Sequence, residues 1–208
     1  MMINRKVFII GSIKTATTTA GHALEQLGLN HYHGGHKTAN IMMPMVLSGE
    51  YEKIFDIIDQ YDSFDDIPFS HGDFYKVLFE RYPESKFVLT VRDKISWSQS
   101  MIKQFTWYNS PLDAPLDKSH KLDWIGAYKH FELTYGDVII STNREYVMDI
   151  YEKRNKEIIS FFENKLGKLL VLDIPKNSSE NNWKLLCNFL KKPIPPFLFP
   201  HLNKKKTK

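Results

Sequence analysis

The sequence predicts an α/β domain in which a central, mainly parallel β-sheet is flanked by helices in a three-layer sandwich. Short apolar runs at residues 7–10, 86–91 and 169–172 are rich in Val, Ile, Leu and Phe, which is typical of strands buried on both faces. The segments between these runs place apolar residues at helical spacing. Strands that alternate with helices in this way build a mainly parallel sheet with helices on its faces.

The composition fits one folded domain with a hydrophobic core. Of the 208 residues, 42% are hydrophobic and 25% are charged, and there are 10 Gly, 10 Pro and one Cys. These values exclude an intrinsically disordered chain, a collagen and a disulfide scaffold. We therefore expect a single domain over residues 1–203 and a short, basic, disordered tail over residues 204–208.

The net charge, the lengths of the apolar runs and the cysteine content indicate which partners and which cellular location to expect. The formal net charge of +4 is small enough for the tail lysines to supply it, so nucleic acid is not an expected partner. No apolar run approaches the ~20 residues that span a bilayer, and the first strand leaves no room for a signal peptide before it. Because Cys187 is the one cysteine, we expect a reducing, cytoplasmic location. The oligomeric state stays open, a homodimer included.

Each predicted helix is defined by an apolar stripe and by the residues that end it. The first helix covers residues 18–27 and ends at Gly28, and another follows Arg92. Residues 109–126 show no period, which predicts a long loop or lid. The other predicted helices cover residues 51–61, 74–82, 145–166 and 179–190.

The turn between the first strand and the first helix is a candidate anion-binding site. Free backbone N–H groups and the helix dipole converge there, and Lys14 adds a full positive charge. The threonine hydroxyls can cap the helix or donate to phosphate or sulfate oxygens. A turn that only caps the helix is the alternative. The turn is not a Walker A loop, because Ile13 stands where that motif has Gly directly before its Lys. Its sequence is Gly11-Ser12-Ile13-Lys14-Thr15-Ala16-Thr17-Thr18-Thr19.

A second candidate phosphate contact lies at the end of the strand at residues 86–91. Arg92 follows that strand directly, where its guanidinium can bind a phosphate through two N–H groups. Ser100, on the helix that follows, can add a hydroxyl to the same oxygens. The alternative is a surface ion pair between Arg92 and Asp93.

Together the two motifs resemble those of the sulfotransferase family. Residues 11–18 are similar to its 5′-phosphosulfate loop, with Ala16 where Gly is usual. Residues 87–100 are similar to its 3′-phosphate motif, with Lys94 where Pro is usual. Residues 169–173 and 199–203 resemble the closing segment of single-domain bacterial and fungal members. The resemblance implies a P-loop NTPase-like fold and a nucleotide bound by Ser12, Lys14, Thr15, Ala16, Thr17, Thr18, Arg92 and Ser100.

The resemblance also implies a reaction. The donor would be 3′-phosphoadenosine 5′-phosphosulfate (PAPS), whose sulfuryl group moves in line onto a hydroxyl or amine of a small-molecule, glycan or lipid acceptor. Lys14 would be catalytic by stabilising the charge that grows on the bridging oxygen, and no metal would be required. Two alternatives stay open. One is a P-loop kinase for nucleotides or small molecules, with Asp173 as its metal-binding acid, and the other is a non-catalytic nucleotide-binding scaffold.

An acceptor hydroxyl must lose its proton, and a His with the ordinary pKa of about 6.5 suits that task. His71 is the first candidate base, because its position resembles that of the base in cytosolic sulfotransferases. Asp66 or Asp73 could orient its ring or replace it. His33 and His36 compete with it from a histidine-rich segment. We interpret that segment as a polar loop rather than a metal site, because it has no Cys and no adjacent carboxylate in the sequence.

Overall fold

A computed structural model describes residues 5–105, 125–136 and 143–201 of the chain. The described strands are β1 Val7–Ile9, β2 His31–Tyr32, β3 Ser63–Phe64, β4 Lys86–Thr90 and β5 Leu169–Leu172. They form one parallel sheet in the order β2-β3-β1-β4-β5. The predicted parallel sheet is confirmed, and β1 is its central strand.

Eight helices lie in the described ranges. They are α1 Thr17–Gln26, α2 His36–Ser48, α3 Tyr51–Ile58, α4 Phe74–Arg81, α5 Lys94–Phe105, α6 Ile125–Tyr135, α7 Arg144–Phe162 and α8 Ser179–Leu190. None of these helices is long and apolar enough to cross a bilayer.

The helices cover both faces of the sheet, which confirms the three-layer architecture. Alternate side chains of a strand point to opposite faces, so Phe8 and Ile10 lie on one side and Val7 and Ile9 on the other. The first pair packs with buried residues of α3, α4 and α7. The second pair packs with α1 and with Trp183 and neighbouring residues of α8. The apolar stripes of these five helices therefore enclose the strands.

The structure departs from the sequence prediction in the first half of the chain. Strands β2 and β3 were not predicted, because two residues are too few for a hydrophobic run to stand out. Helix α2 was not predicted either, and it contains Pro44. It is stabilised by packing on α6, where the Gly126 N–H donates to Asn40 Oδ1 at 2.9 Å. A Cβ on Gly126 would lie 2.2 Å from the Ala39 backbone, so the two helices approach very closely.

The predicted lid falls mostly outside the described residues. Residues 109–124 lie outside them, while Ile125 and Gly126 begin α6 rather than continue a loop. The predicted basic tail at residues 204–208 also lies outside the described part of the chain.

Candidate functional site

The turn after β1 is anchored to the end of β4. A Cβ on Gly11 would lie 2.0 Å from Thr90 Oγ1, so only glycine allows this approach. The buried Thr15 hydroxyl donates to the Ser12 carbonyl at 2.5 Å and lies 2.7 Å from Thr90 Oγ1. Thr15 and Ser12 thus hold the turn in place, and the Thr15 hydroxyl is turned inward rather than toward a ligand.

Two residues of this turn adopt the left-handed backbone conformation. Lys14 has φ 67° and Ala16 has φ 70°. Ala16 directly precedes α1, and within the described part of the chain no side chain caps the start of that helix. The expectation that a threonine hydroxyl caps α1 is therefore wrong, because the turn approaches the helix through Ala16. The first N–H groups of α1 are left for another acceptor, which favours the anion-binding interpretation over the capping one.

Lys14 shares its surroundings with charged residues from the neighbouring strands. Burial lowers the pKa of the Lys14 ammonium, the Asp66 carboxylate raises it and the Arg92 guanidinium lowers it further. Lys14 follows β1, Asp66 follows β3 and Arg92 follows β4, so the three groups come from the carboxyl ends of three adjacent strands. The lysine turn and the arginine therefore belong to one charged region, at the edge of the sheet where α/β proteins bind ligands.

Arg92 is held in place at the start of α5. Its backbone N–H donates to the Tyr151 hydroxyl at 2.9 Å, and that hydroxyl donates to the Arg92 carbonyl at 3.0 Å. Its Nε donates to Ser96 Oγ at 2.9 Å. The Asp93 carboxylate instead accepts from the Ser96 N–H at 2.9 Å, which disfavours a simple Arg92–Asp93 ion pair. Ser100, partly buried, lies one helical turn beyond Ser96 on the same face of α5.

Asp66 lies in the segment that follows β3. It has φ 58°, and its Oδ1 accepts from the Ile67 N–H at 2.9 Å. Burial and the neighbouring Asp65 carboxylate raise the pKa of Asp66 to about 7, while the Ile67 N–H and Lys14 act in the opposite direction. The carboxyl group of Asp66 thus lies in the same charged region as Lys14.

The side chain of His71 has other neighbours than those described for Lys14. Its Nδ1 is 2.9 Å from His130 Nδ1, so one of these nitrogens donates to the other and the accepting ring is neutral. Burial and the Arg154 guanidinium lower the pKa of His71 to about 4. Burial, His71 and Arg154 also hold the pKa of His130 well below its usual value. His71 therefore belongs to a cluster with His130 and Arg154.

His33 and His36, the other two histidine candidates for the base, lie near the sheet edge formed by β2. His36 begins α2, and His33 directly follows β2. The expected polar loop is therefore confined to residues 33–35, between β2 and α2. No carboxylate adjoins His33 in the sequence, but the fold places its Nε2 3.1 Å from Glu25 Oε1 and its Nδ1 3.8 Å from Asp65 Oδ2.

Several residues that shape the site were not singled out from the sequence. Thr90 anchors the turn, and Ser96 and Tyr151 hold Arg92. The one available signal was the spacing of Ser96, four residues after Arg92 and four before Ser100, which places Ser96 and Ser100 on one face of α5. Tyr151 comes from a distant helix, so no local pattern predicts its contact.

Comparison with known proteins identifies the family of this chain. A family model described as a sulfotransferase domain matches residues 6–208. The chain belongs to the sulfotransferase domain family. It is also similar to "Ava biosynthesis cluster protein M" of Aspergillus versicolor, at 25% identity over 227 aligned residues that cover 95% of this chain and 80% of that protein. The family assignment made from the two motifs is thereby confirmed, and in this sulfotransferase-domain chain both motifs lie at the carboxyl edge of the sheet.

Proposed function

We propose that this protein transfers a sulfuryl group from PAPS to a hydroxyl or amine of a small-molecule, glycan or lipid acceptor. The observation that carries the proposal is the common charged region of Lys14, Asp66 and Arg92. A donor with a phosphosulfate at one end and a 3′-phosphate at the other requires cations at two separate points of one site. Lys14 and Arg92 meet that requirement from adjacent strands.

In this proposal the turn after β1 binds the 5′-phosphosulfate. The N–H groups at the start of α1 donate to its oxygens together with Ser12 and the backbone of residues 15–18, while the Thr15 hydroxyl stays bonded within the turn. Arg92 binds the 3′-phosphate from the end of β4, and its bond to Ser96 orients the guanidinium toward the face of α5 that carries Ser100.

The proposed reaction is an in-line displacement at sulfur. A bond forms between the acceptor oxygen or nitrogen and sulfur, while the bond between sulfur and the bridging phosphate oxygen breaks. The electron pair stays on that oxygen, and 3′-phosphoadenosine 5′-phosphate (PAP) leaves. Lys14 offsets the negative charge that develops there, a task that a partly buried cation performs better than one in water.

We propose Asp66, rather than His71, as the group that takes the acceptor proton. The argument is positional, because Asp66 lies within the electrostatic reach of Lys14 whereas His71 is paired with His130. Proton transfer to Asp66 would then occur beside the sulfuryl group. His71, His33 and His36 stay as the alternative bases.

The substitution Asp66→Asn tests this assignment. It keeps the size and the acceptor oxygen for the Ile67 N–H, so we expect kcat to fall by about 10²–10⁴-fold while PAP binding is retained. Asp73→Asn is the matched control, because Asp73 is exposed and pairs with Lys76 at 2.6 Å. If Asp66→Asn keeps full turnover and His71→Gln loses it, the base is His71.

A P-loop kinase is the enzymatic alternative that must be separated from the proposal. Asp173 would have to bind its metal, but it follows the edge strand β5, which β4 separates from β1. Its Oδ1 also accepts from the Lys176 N–H at 3.1 Å. In a thermal unfolding assay we expect PAP to raise Tm without magnesium. Stabilisation by ATP only with magnesium, and none by PAP, would favour the kinase.

Mass spectrometry separates the proposed enzyme from a non-catalytic scaffold. The protein is incubated with PAPS and a metabolite extract, and products heavier by one sulfuryl group are sought. Formation of such a product, and its absence with Lys14→Ala, supports catalysis. A wild-type protein that binds PAP but sulfates no member of a broad acceptor panel would support the scaffold.

A further inference from the structure

Two histidines and a buried aspartate meet beside α1, at the edge strand β2 and the end of its neighbour β3. His31 Nε2 lies 3.6 Å from Asp65 Oδ1, and His33 Nδ1 lies 3.8 Å from Asp65 Oδ2. One donor atom from each residue lies within 4.8 Å of the others. The side chains of His31 and Asp65 are 0% and 2% exposed, while that of His33 is 35% exposed and leads to solvent.

These distances are too long for hydrogen bonds but fit donors around one metal ion. Hydrogen bonds between nitrogen and oxygen are about 2.7–3.2 Å long. Around a tetrahedral ion with bonds of about 2.0–2.2 Å, neighbouring donor atoms are separated by about 3.3–3.6 Å. The separations of 3.6 and 3.8 Å, which run to the two different oxygens of the Asp65 carboxylate, lie at and just above the upper end of that range.

In each imidazole the ring nitrogen that faces away from Asp65 already has a polar neighbour, as in metal-binding histidines. His31 Nδ1 lies 2.8 Å from Ser63 Oγ, and His33 Nε2 lies 3.1 Å from Glu25 Oε1. If each of these nitrogens carries the proton, the opposite nitrogen presents a lone pair toward Asp65. The Gly34 N–H donates to Asp65 Oδ1 at 2.7 Å and orients the carboxylate.

One further observation points to a ligand between these groups. His31 Nε2 is shielded from solvent and has no hydrogen-bond partner. Helix α1 also carries Gly21 opposite it, and a Cβ there would lie 2.4 Å from His31 Nε2 and 3.0 Å from Asp65 Oδ2. Helix α1 therefore packs directly against the imidazole and the carboxylate at this glycine, and a larger residue at position 21 would displace them.

We propose that His31, His33 and Asp65 bind one divalent transition-metal ion of the zinc type. Two imidazoles and one carboxylate suit such ions better than magnesium or calcium, which prefer oxygen ligands alone. The ion would join the ends of β2 and β3, each only two residues long, and fix the segment that leads to Asp66. Its role is structural and does not depend on the proposed sulfuryl transfer.

The test uses the full chain, freed of metal with a chelator and of any affinity tag. Zinc chloride is titrated by calorimetry, and cobalt chloride is added separately to record visible absorption. We expect one zinc ion per chain, a zinc-dependent rise in Tm, and cobalt bands typical of a site with nitrogen ligands. Asp65→Asn keeps the acceptor for Gly34, and His33→Ala alters a solvent-accessible ring, so both should fold. Each should weaken zinc binding by at least about 100-fold, since even loss of a residue that only orients a ligand costs about 10–100-fold.

His22→Ala is the matched control. His22 Nδ1 lies 2.6 Å from Glu25 Oε2, and His22 forms with Glu25 and His33 a second, more exposed group of possible metal donors. We expect this variant to bind zinc like the wild type. Three results would overturn the proposal: no zinc bound by the wild type, zinc binding that survives Asp65→Asn, or binding that is lost in His22→Ala. Circular dichroism of each variant excludes unfolding as the cause.

Discussion

The left-handed conformation of Ala16 makes Ala16→Gly a direct test of the turn geometry. Ala16 has φ 70° and ψ 32°, directly before α1. A left-handed residue with a side chain costs about 1–2 kcal/mol, which glycine would avoid. Glycine also loses about 0.5–1 kcal/mol more conformational entropy on folding. The difference predicts a net stabilisation of about 0.5–1 kcal/mol.

Thermal or urea unfolding measures this difference. For a chain of this size the expected rise in Tm is about 1–4 °C. Ala20→Gly is the matched control, because Ala20 lies within the same helix and is 1% exposed. That variant should lose about 1 kcal/mol or more. The reasoning is refuted if Ala16→Gly is destabilised as much as Ala20→Gly, since Ala16 would then have an ordinary helical conformation.

The remaining predictions concern Lys14, Arg92 and His71. Lys14→Ala should lower kcat by about 10²–10³-fold without lowering Tm; unchanged turnover in a sulfuryl-transfer assay would exclude its proposed role. Arg92→Ala should weaken PAP binding by about 1.5–3 kcal/mol, measured by calorimetry, and equal affinity for wild type and variant would contradict this. The folded pKa of His71 is about 4, below its unfolded value, so the unfolded chain binds more protons and stability falls as pH drops from about 6.5 to about 4. His71→Gln should remove up to about 3 kcal/mol of this acid sensitivity; urea unfolding curves with the same pH dependence in both proteins would argue against the lowered pKa.

The central part of the fold could be predicted because its signals are local. Strand β1, the helix after it and β4 each carry a run or stripe of apolar residues long enough to define the element. Strands β2 and β3 could not be predicted, since their two residues are ordered by pairing with strands elsewhere in the chain. Helix α2 could not be predicted because it contains Pro44 and because its contact with Gly126 joins residues that are far apart in the sequence.

The residues of the site likewise fall into those with a local sequence signal and those positioned by distant contacts. Lys14 and Arg92 could be identified because each directly follows a strand, and strand ends of a parallel sheet meet at one edge. Which carboxylate lies beside Lys14 could not be predicted, because that depends on how the segment after β3 turns at Asp66. Likewise, the donor group of His31, His33 and Asp65 spans more than thirty residues, and only the pairing of β2 with β3 brings it together.

The most direct test of the proposed function compares PAP with adenosine 5′-phosphate, which lacks the 3′-phosphate, in calorimetric titrations without magnesium. The wild type should bind PAP at least about tenfold more tightly, a difference of about 1.4 kcal/mol. Arg92→Ala should bind both nucleotides alike, while Lys14→Ala should weaken both. A wild-type protein that does not distinguish the two, or an Arg92→Ala variant that still does, would contradict a donor bound between the lysine turn and the arginine.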